Sequence, residues 1–261
     1  MGRNATPQQV QTHIKTSIAT FENYLLDLVS CDQHEKADKL CFWLKDWNRF
    51  LSFEDRFSPA KLKRYKRGEV IRAHLGFNVG SEYGGLHYCV VLDKNNSKNS
   101  PVITIIPLTS LKDKTDPNNL YPGNVYLGEE VYTKICQKAF NSYGSLKKQG
   151  DALTTKFHEI AQTVPEWPDT YPTPETHTKW FSDTKAELDS LIDTQETLRQ
   201  ILNRIESMKK GSIALVSQIR TISKIRIYEP RTGKDLLNNI RLSNESLDLI
   251  DSEIKKLYMH P

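Results

Sequence analysis

The sequence predicts an α+β fold: a small β-barrel with an N-terminal helical extension and an inserted antiparallel helical hairpin. Three observations carry that reading. From Thr6 to Leu51 apolar residues recur at helical spacing, whereas from Glu69 to Leu127 they fall in short Val- and Ile-rich runs bounded by Gly, Asn and Ser. The helical period then returns between Val131 and Ile205, split by the four-proline segment VPEWPDTYPTP. Strand-like runs resume after Gly211, so two strand-rich stretches lie far apart in sequence, and the helical piece between them reads as an insertion into one domain. The boundaries are 1–65 for the extension, 66–128 and 211–261 for the barrel, and 129–210 for the hairpin.

Each element has its own local reason. Val10, Ile14, Ile18, Phe21, Leu25 and Leu28 form one helical stripe up to Val29, with Thr6-Pro7 as cap and first-turn residue. A second helix, from about Asp32 to Leu51, carries Leu40, Trp43, Leu44, Trp47 and Phe50 on an apolar face read as packing surface. Two such helices cannot bury their faces alone and are expected to dock elsewhere or across a dimer. Strands are expected at Glu69–Ala73, Tyr88–Leu92, Val102–Leu108 and Asn124–Leu127, with turns at Gly84-Gly85 and Asn95-Asn96-Ser97. Val131, Ile135, Ala139, Leu146, Leu153, Phe157 and Ile160 predict a helix broken near Gly144 or Gly150. Val164 to Pro174 reads as a loop. Leu188, Leu191, Gln195, Leu198, Leu202 and Ile205 then predict a seam with one polar position, the second arm of the hairpin. After Gly211 come a strand, a short helical turn and a last strand at Ile240 and Leu242. Ser243 caps a C-terminal helix with Glu245 in its first turn.

Composition narrows the function classes. Only 38% of the 261 residues are hydrophobic, and 26% are charged. No apolar run approaches the ~18 residues of a membrane span, and the N-terminus lacks an apolar signal core. A cytoplasmic protein with no membrane partner is therefore expected. Cys31, Cys41, Cys89 and Cys136 have no paired spacing and read as reduced thiols. The net charge of +4 permits a polyanionic partner without demanding one. The strings of the serine hydrolases, phosphate-loop enzymes and zinc proteases are absent, and Cys31, His34 and Cys41 match no zinc module. What remains is a Gly-rich tip between two strands. It holds Ser81, Glu82 and Tyr83 and leads into His87-Tyr88, while a later strand delivers Thr109-Ser110.

Four blocks in this order resemble the MazF/PemK family of toxin endoribonucleases. They are Arg67-Gly68-Glu69-Val70, Gly80-Ser81-Glu82-Tyr83-Gly84-Gly85, Leu108-Thr109, and Ile213 to Lys224 (IALVSQIRTISK). The resemblance spans about 66–128 and 211–261 and leaves the N-terminal helices and the hairpin outside it. It implies an SH3-like barrel of the MazF/PemK/CcdB type, the toxin of a type II toxin–antitoxin pair, paired with a cognate antitoxin protein and usually a homodimer. It also implies cleavage of single-stranded RNA such as mRNA by attack of the ribose 2′-OH, with no metal and no cofactor. That chemistry needs a base for the hydroxyl proton, an acid for the leaving 5′-oxygen and a group that offsets phosphorane charge.

The sequence departs from the family where the family has Arg-Pro, the Arg carrying catalysis. Here the pair is His87-Tyr88. Two readings follow. In one, His87 takes over, since an imidazole with an ordinary pKa of ~6.5 is a competent acid or base. In the other, the barrel is catalytically inactive, or CcdB-like, and acts by binding RNA or protein. By resemblance Thr109 is the retained partner of the catalytic group. Glu82 either orients His87, serves as the base, or is a solvated loop carboxylate. The candidate RNA contacts are Ser81, Tyr83, Tyr88, Arg67 and Ser110, with Lys66 beside Arg67 as a further phosphate contact. Arg220 is expected to be structural.

Overall fold

The computed structural model describes residues 5–163, 174–233 and 235–259. The chain folds into two compact units, Met1–Ser58 with His74–Leu86, and Pro59–Ala73 with His87–Pro261.

The first unit is built on α1 (Pro7–Ser30) and α2 (His34–Phe53). Thr6 closes a capping box with Gln9: its hydroxyl accepts from the Gln9 amide at 3.3 Å, and the Gln9 side chain accepts from the Thr6 amide at 2.8 Å. The helices pack through Leu28, Ala37 and Leu40, with Phe21 and Leu25 against them, while Val10, Ile14 and Ile18 on α1 stay exposed. The aromatic stripe of α2 is only partly packing surface. Phe50 is buried, and Trp43 stacks on His74 with ring centres 4.6 Å apart.

The second unit holds the sheet. Its strands are β1 (Val70–His74), β2 (Leu86–Val91), β3 (Val102–Ser110), β4 (Asn124–Tyr126), β5 (Ser212–Leu215), β6 (Arg220–Ser223) and β7 (Ile227–Glu229). The order is β4-β5-β3-β2-β1-β7, with β6 also pairing β3. The pairings β1–β7, β2–β3, β3–β5, β3–β6 and β4–β5 are antiparallel. β3 is the hub: Val102–Ile105 pairs β6, Leu108–Ser110 pairs β5, and its other edge pairs β2. Three helices cover one sheet face: α3 (Glu130–Thr163), α4 (Pro174–Ser207) and α5 (Asn244–Tyr258). There Val90, Ile106, Leu108 and Ala214 bury against Val131, Ile135, Ala139, Ile201, Leu247 and Ile250. α3 and α4 pack along each other, and Lys156 pairs with Glu187 between them.

Three expectations are corrected, and one lies outside the described residues. α3 is unbroken through Gly144 and Gly150. One glycine costs a helix only ~1 kcal/mol, and the apolar period continues across both. At one position of α4 the inward residue differs: Leu198 and Ile205 pack on the core as expected, but Ile201 is fully buried where Leu202, 48% exposed, was expected. Ile240 and Leu242 are buried but form no strand. To the Gly68–Val70 stretch they make one hydrogen bond each, Val70 N–H to Ile240 O and Leu242 N–H to Gly68 O, around a single Glu69–Arg241 bridge. The expected Val164–Pro174 loop lies outside the described residues except for Pro174, which opens α4.

Glu130 ties the start of α3 to the start of α5. Its carboxylate accepts from the Ser243 amide and the Ser246 hydroxyl, both at 2.5 Å, and pairs with Lys134 at 2.8 Å. Burial opposes its charge, but these donors outweigh burial and hold its pKa below the usual carboxylate value.

Candidate active site

The tip between β1 and β2 is a loop shaped by its glycines. Leu75 N–H donates to Gly85 O at 2.7 Å, and Gly85 N–H donates to Gly76 O at 2.6 Å, closing its base. The Asn78 amide then spans the loop, donating to Tyr83 O at 2.9 Å and Leu75 O at 3.3 Å. Gly85 sits at φ 91°, in the left-handed region, and a Cβ on Gly84 would lie 2.6 Å from Gly76 O. Only glycine fits both places. The result is a closed loop with Ser81 and Glu82 exposed at its tip and Tyr83 half-buried.

In the second unit the expected residues lie at a pair of strand ends. The β2–β3 register matches Cys89 with Pro107 and Val90 with Ile106. His87 and Thr109 lie two residues beyond the Cys89–Pro107 end of that ladder, one on each strand. Paired residues share a face and neighbours alternate, so Tyr88, Val90, Ile106 and Leu108 turn toward the helices, and His87, Cys89, Pro107 and Thr109 toward the opposite face. Thr109 is half-buried and pairs with Ile213, and Ser110 is exposed opposite Ser212. The Cys89 thiol is fully buried, which pushes its pKa up and keeps it an inert thiol rather than a nucleophile.

Residues 66–139 match the family described as the PemK-like, MazF-like toxin of type II toxin–antitoxin systems. Those residues form a PemK/MazF-like toxin domain. No curated protein matches the chain. The matched stretch contains the R-G-E-V and G-S-E-Y-G-G blocks and Thr109. It runs past residue 128 through Ala139, into the first turns of α3, and the Q-I-R-T block lies beyond it.

Within the matched stretch the sequence-expected residues fall in separate places. Ser81, Glu82 and Tyr83 share the loop, and His87, Thr109 and Ser110 share the ends of β2 and β3. Arg67 and Tyr88 are committed to packing. The Arg67 guanidinium donates to Leu92 O at 2.6 Å and pairs with Asp251 on α5. The Tyr88 hydroxyl accepts from Arg204 on α4 at 3.2 Å and lies 3.7 Å from Met208 Sδ. Arg204 also pairs with Glu229 at 3.1 Å. Burial disfavours its charge, but Tyr88 and Glu229 outweigh burial and raise its pKa. Arg220 donates to Gln218 Oε1 at 3.1 Å, a local structural contact.

Two groups escaped sequence reasoning. Lys224, quoted only as the end of the last block, is buried and donates to Ser97 O at 2.9 Å. Burial pulls its pKa down. Its ammonium anchors the turn that leads into β3. The second group is on α2: Lys39, Phe42 and Trp43 line a cavity together with Glu82, Gly84 and Gly85 of the loop. The available signal was Phe42, an aromatic residue off the apolar stripe and flanked by lysines.

Proposed function

We propose that this protein is the toxin of a type II toxin–antitoxin pair and that it cuts single-stranded RNA. The single observation that carries this is the PemK/MazF-like match over the G-S-E-Y-G-G loop, with His87 and Thr109 following it on adjacent strands. In the proposed reaction the ribose 2′-oxygen attacks the adjacent phosphorus, a base takes its proton, and the P–O5′ bond breaks. An acid supplies the proton to the departing 5′-oxygen, leaving a 2′,3′-cyclic phosphate and a 5′-hydroxyl. His87 is assigned the proton transfer, and the Thr109 hydroxyl holds a non-bridging oxygen. Glu82 orients the imidazole or shares the base role. Dependence on the 2′-OH separates RNA from DNA. Neither metal nor cofactor enters the scheme.

Tyr88 supports reading the departure from Arg-Pro as adaptation. A proline at that position has no hydroxyl with which to receive Arg204, so the tyrosine fits a chain in which α4 is added on that face. The domain scheme proposed is an extension at 1–65, an SH3-like barrel at 66–128 and 211–261, and an inserted hairpin at 129–210. Support comes from the order of the strands around β3 and from the chain leaving the sheet at Gly128 and returning at Ser212, where Leu127 N–H meets Ser212 O and Ser212 N–H meets Gly128 O, each at 2.9 Å. A homodimer, a cognate antitoxin and a cytoplasmic setting complete the proposal by likeness to the family.

The test is incubation of pure protein with a defined single-stranded RNA in EDTA, followed by end-group analysis. A 2′,3′-cyclic phosphate is expected. Cleavage only on added magnesium, or on no RNA, overturns the reading. A second reading, an inactive or CcdB-like barrel that binds RNA or protein, rests on the missing Arg, and binding without any cleavage favours it.

A further inference from the structure

We infer that the N-terminal extension supplies the toxin loop with a nucleobase-stacking pocket, in which an unpaired base of the RNA seats against Phe42 of α2. The inference rests on the proposed function for the identity of the ligand, and on the first unit alone for the pocket. The cavity measures about 420 Å³ and is walled on one side by α2 and on the other by the loop between β1 and β2. That volume is in the range of small-molecule sites, ~300–1,000 Å³.

Its lining has the chemistry of a base site. Phe42 is 60% exposed and Phe77 is 36% exposed, a poor use of two aromatic rings unless something covers them. Trp43 is held by its stack on His74, and His74 is itself fixed, its Nδ1 accepting from Gly76 N–H at 3.1 Å and its Nε2 lying 3.6 Å from Asp46. The wall behind the base is thus pre-ordered. Gly84 and Gly85 line the opposite side. The Glu82 carboxylate lines the cavity as an acceptor for base N–H groups, and the Asn78 amide lines it beside Glu82. Positive charge flanks the ring: Lys45 Nζ lies 5.3 Å from the Phe42 centroid, and Lys39 is part of the wall. Aromatic faces with flanking cations are how sequence-tolerant sites hold single-stranded nucleic acid, the ring taking the base and the cation the phosphate. A purely apolar peptide side chain would not match the polar groups around the ring, Glu82 in the lining and Lys45 over Phe42, so the observations favour the nucleic acid. The pocket joins a helix outside the family match to the family's own loop, and makes α2 a determinant of which RNA is held.

The test uses the full-length chain and two labelled probes followed by fluorescence anisotropy. One is a mixed-sequence single-stranded 2′-O-methyl RNA, which 2′-OH attack cannot cut. The other is an abasic oligomer of equal length and charge. Phe42→Ala is expected to weaken the base-bearing probe by roughly 5–150-fold, the range for loss of one stacking platform. It leaves the abasic probe unchanged, and Phe42→Tyr restores binding. Phe77→Ala follows the same pattern more weakly, and Phe140→Ala on α3 changes nothing. Equal affinity for the two probes, or unchanged RNA affinity in Phe42→Ala with lost binding of a partner protein, overturns the inference. Cleavage measured in parallel separates the two proposals. A chain that binds the base-bearing probe through Phe42 yet cuts no RNA refutes the nuclease and retains the pocket. A chain that cuts RNA while Phe42→Ala binds normally refutes the pocket and retains the nuclease.

Discussion

The loop from Leu75 to Gly85 and the clamp around Tyr88 lie next to each other in sequence and are built on opposite rules. The loop is held by backbone hydrogen bonds, one amide side chain and glycines, so its side chains Ser81 and Glu82 remain exposed. The clamp is held by side chains, with Arg204 joining Tyr88 to Glu229 and Arg67 joining Leu92 to Asp251. Motif residues therefore serve two ends. Where the backbone supplies the shape, side chains are left over for chemistry. Where side chains supply the shape, they are not.

The largest effect should come from His87. His87→Ala is expected to slow cleavage by roughly 100-fold or more, the size of an acid–base contribution, with little change in melting temperature. Thr109→Ala should cost less. A histidine site gives a limb in the pH–rate profile near neutrality, and His87→Arg should flatten it, since a guanidinium stays charged throughout. Full activity in His87→Ala with none in Glu82→Gln would move the base to Glu82.

The clamp should show the reverse pattern. Arg204→Ala leaves Glu229 half-buried without its partner. We expect a loss of about 2–3 kcal/mol in urea unfolding, below the ~3–5 of a fully buried pair. Tyr88→Phe removes one acceptor and should cost ~1 kcal/mol, with cleavage retained. Loss of cleavage without loss of stability in Tyr88→Phe would return Tyr88 to the RNA.

Glu130 sharpens the comparison through pH. Its pKa is lowered in the fold, so its contribution is fully present above the unfolded value of ~4.3 and disappears as pH falls through the lower folded value. Glu130→Gln should therefore be less stable than the parent by ~1–3 kcal/mol at pH 7, and the gap should close toward pH 3. An equal gap at both pH values would mean that packing, not charge, is what the carboxylate contributes.

The smallest effects come from a pair of glycines. Gly144→Ala in α3 meets open space and should stabilise by about 0.5–1 kcal/mol. Gly84→Ala meets Gly76 O and should destabilise and distort the loop, lowering cleavage more than melting temperature. If both behave alike, the loop is not shaped by its glycines.

Much of this was legible from residues that act over short range. The Thr6 cap, the Ser243 cap, the first four strands and the G-S-E-Y-G-G turn all follow from local rules. The misses need distant partners. Whether Ile201 or Leu202 faces inward depends on what α4 rests on, since either fits a three-four spacing. Ile240 and Leu242 look like a strand because they are apolar, but the stretch is paired only by the bridge of Arg241, between them, to Glu69. The candidate site was half legible. Its loop residues are a contiguous string, whereas the roles of Tyr88 and Arg67 are set by Arg204 and Asp251, far along the chain. Phe42 joins the loop only through tertiary structure.

The position of β3 has a kinetic consequence. Its pairing with β2 closes a short stretch of chain, but β5 must arrive from beyond the whole excursion between Gly128 and Ser212. Closing so long a coil is entropically slow, whereas a preformed pair of helices returns the chain near its point of departure. A tenfold shorter effective loop is worth ~2 kcal/mol of closure entropy. α3 and α4 then act as a splint. Helix pairing is the more local event and is expected to precede the arrival of β5 and β6 at the β2–β3 hairpin. A helical excursion that looks like a burden on a small sheet would set the order in which that sheet is completed.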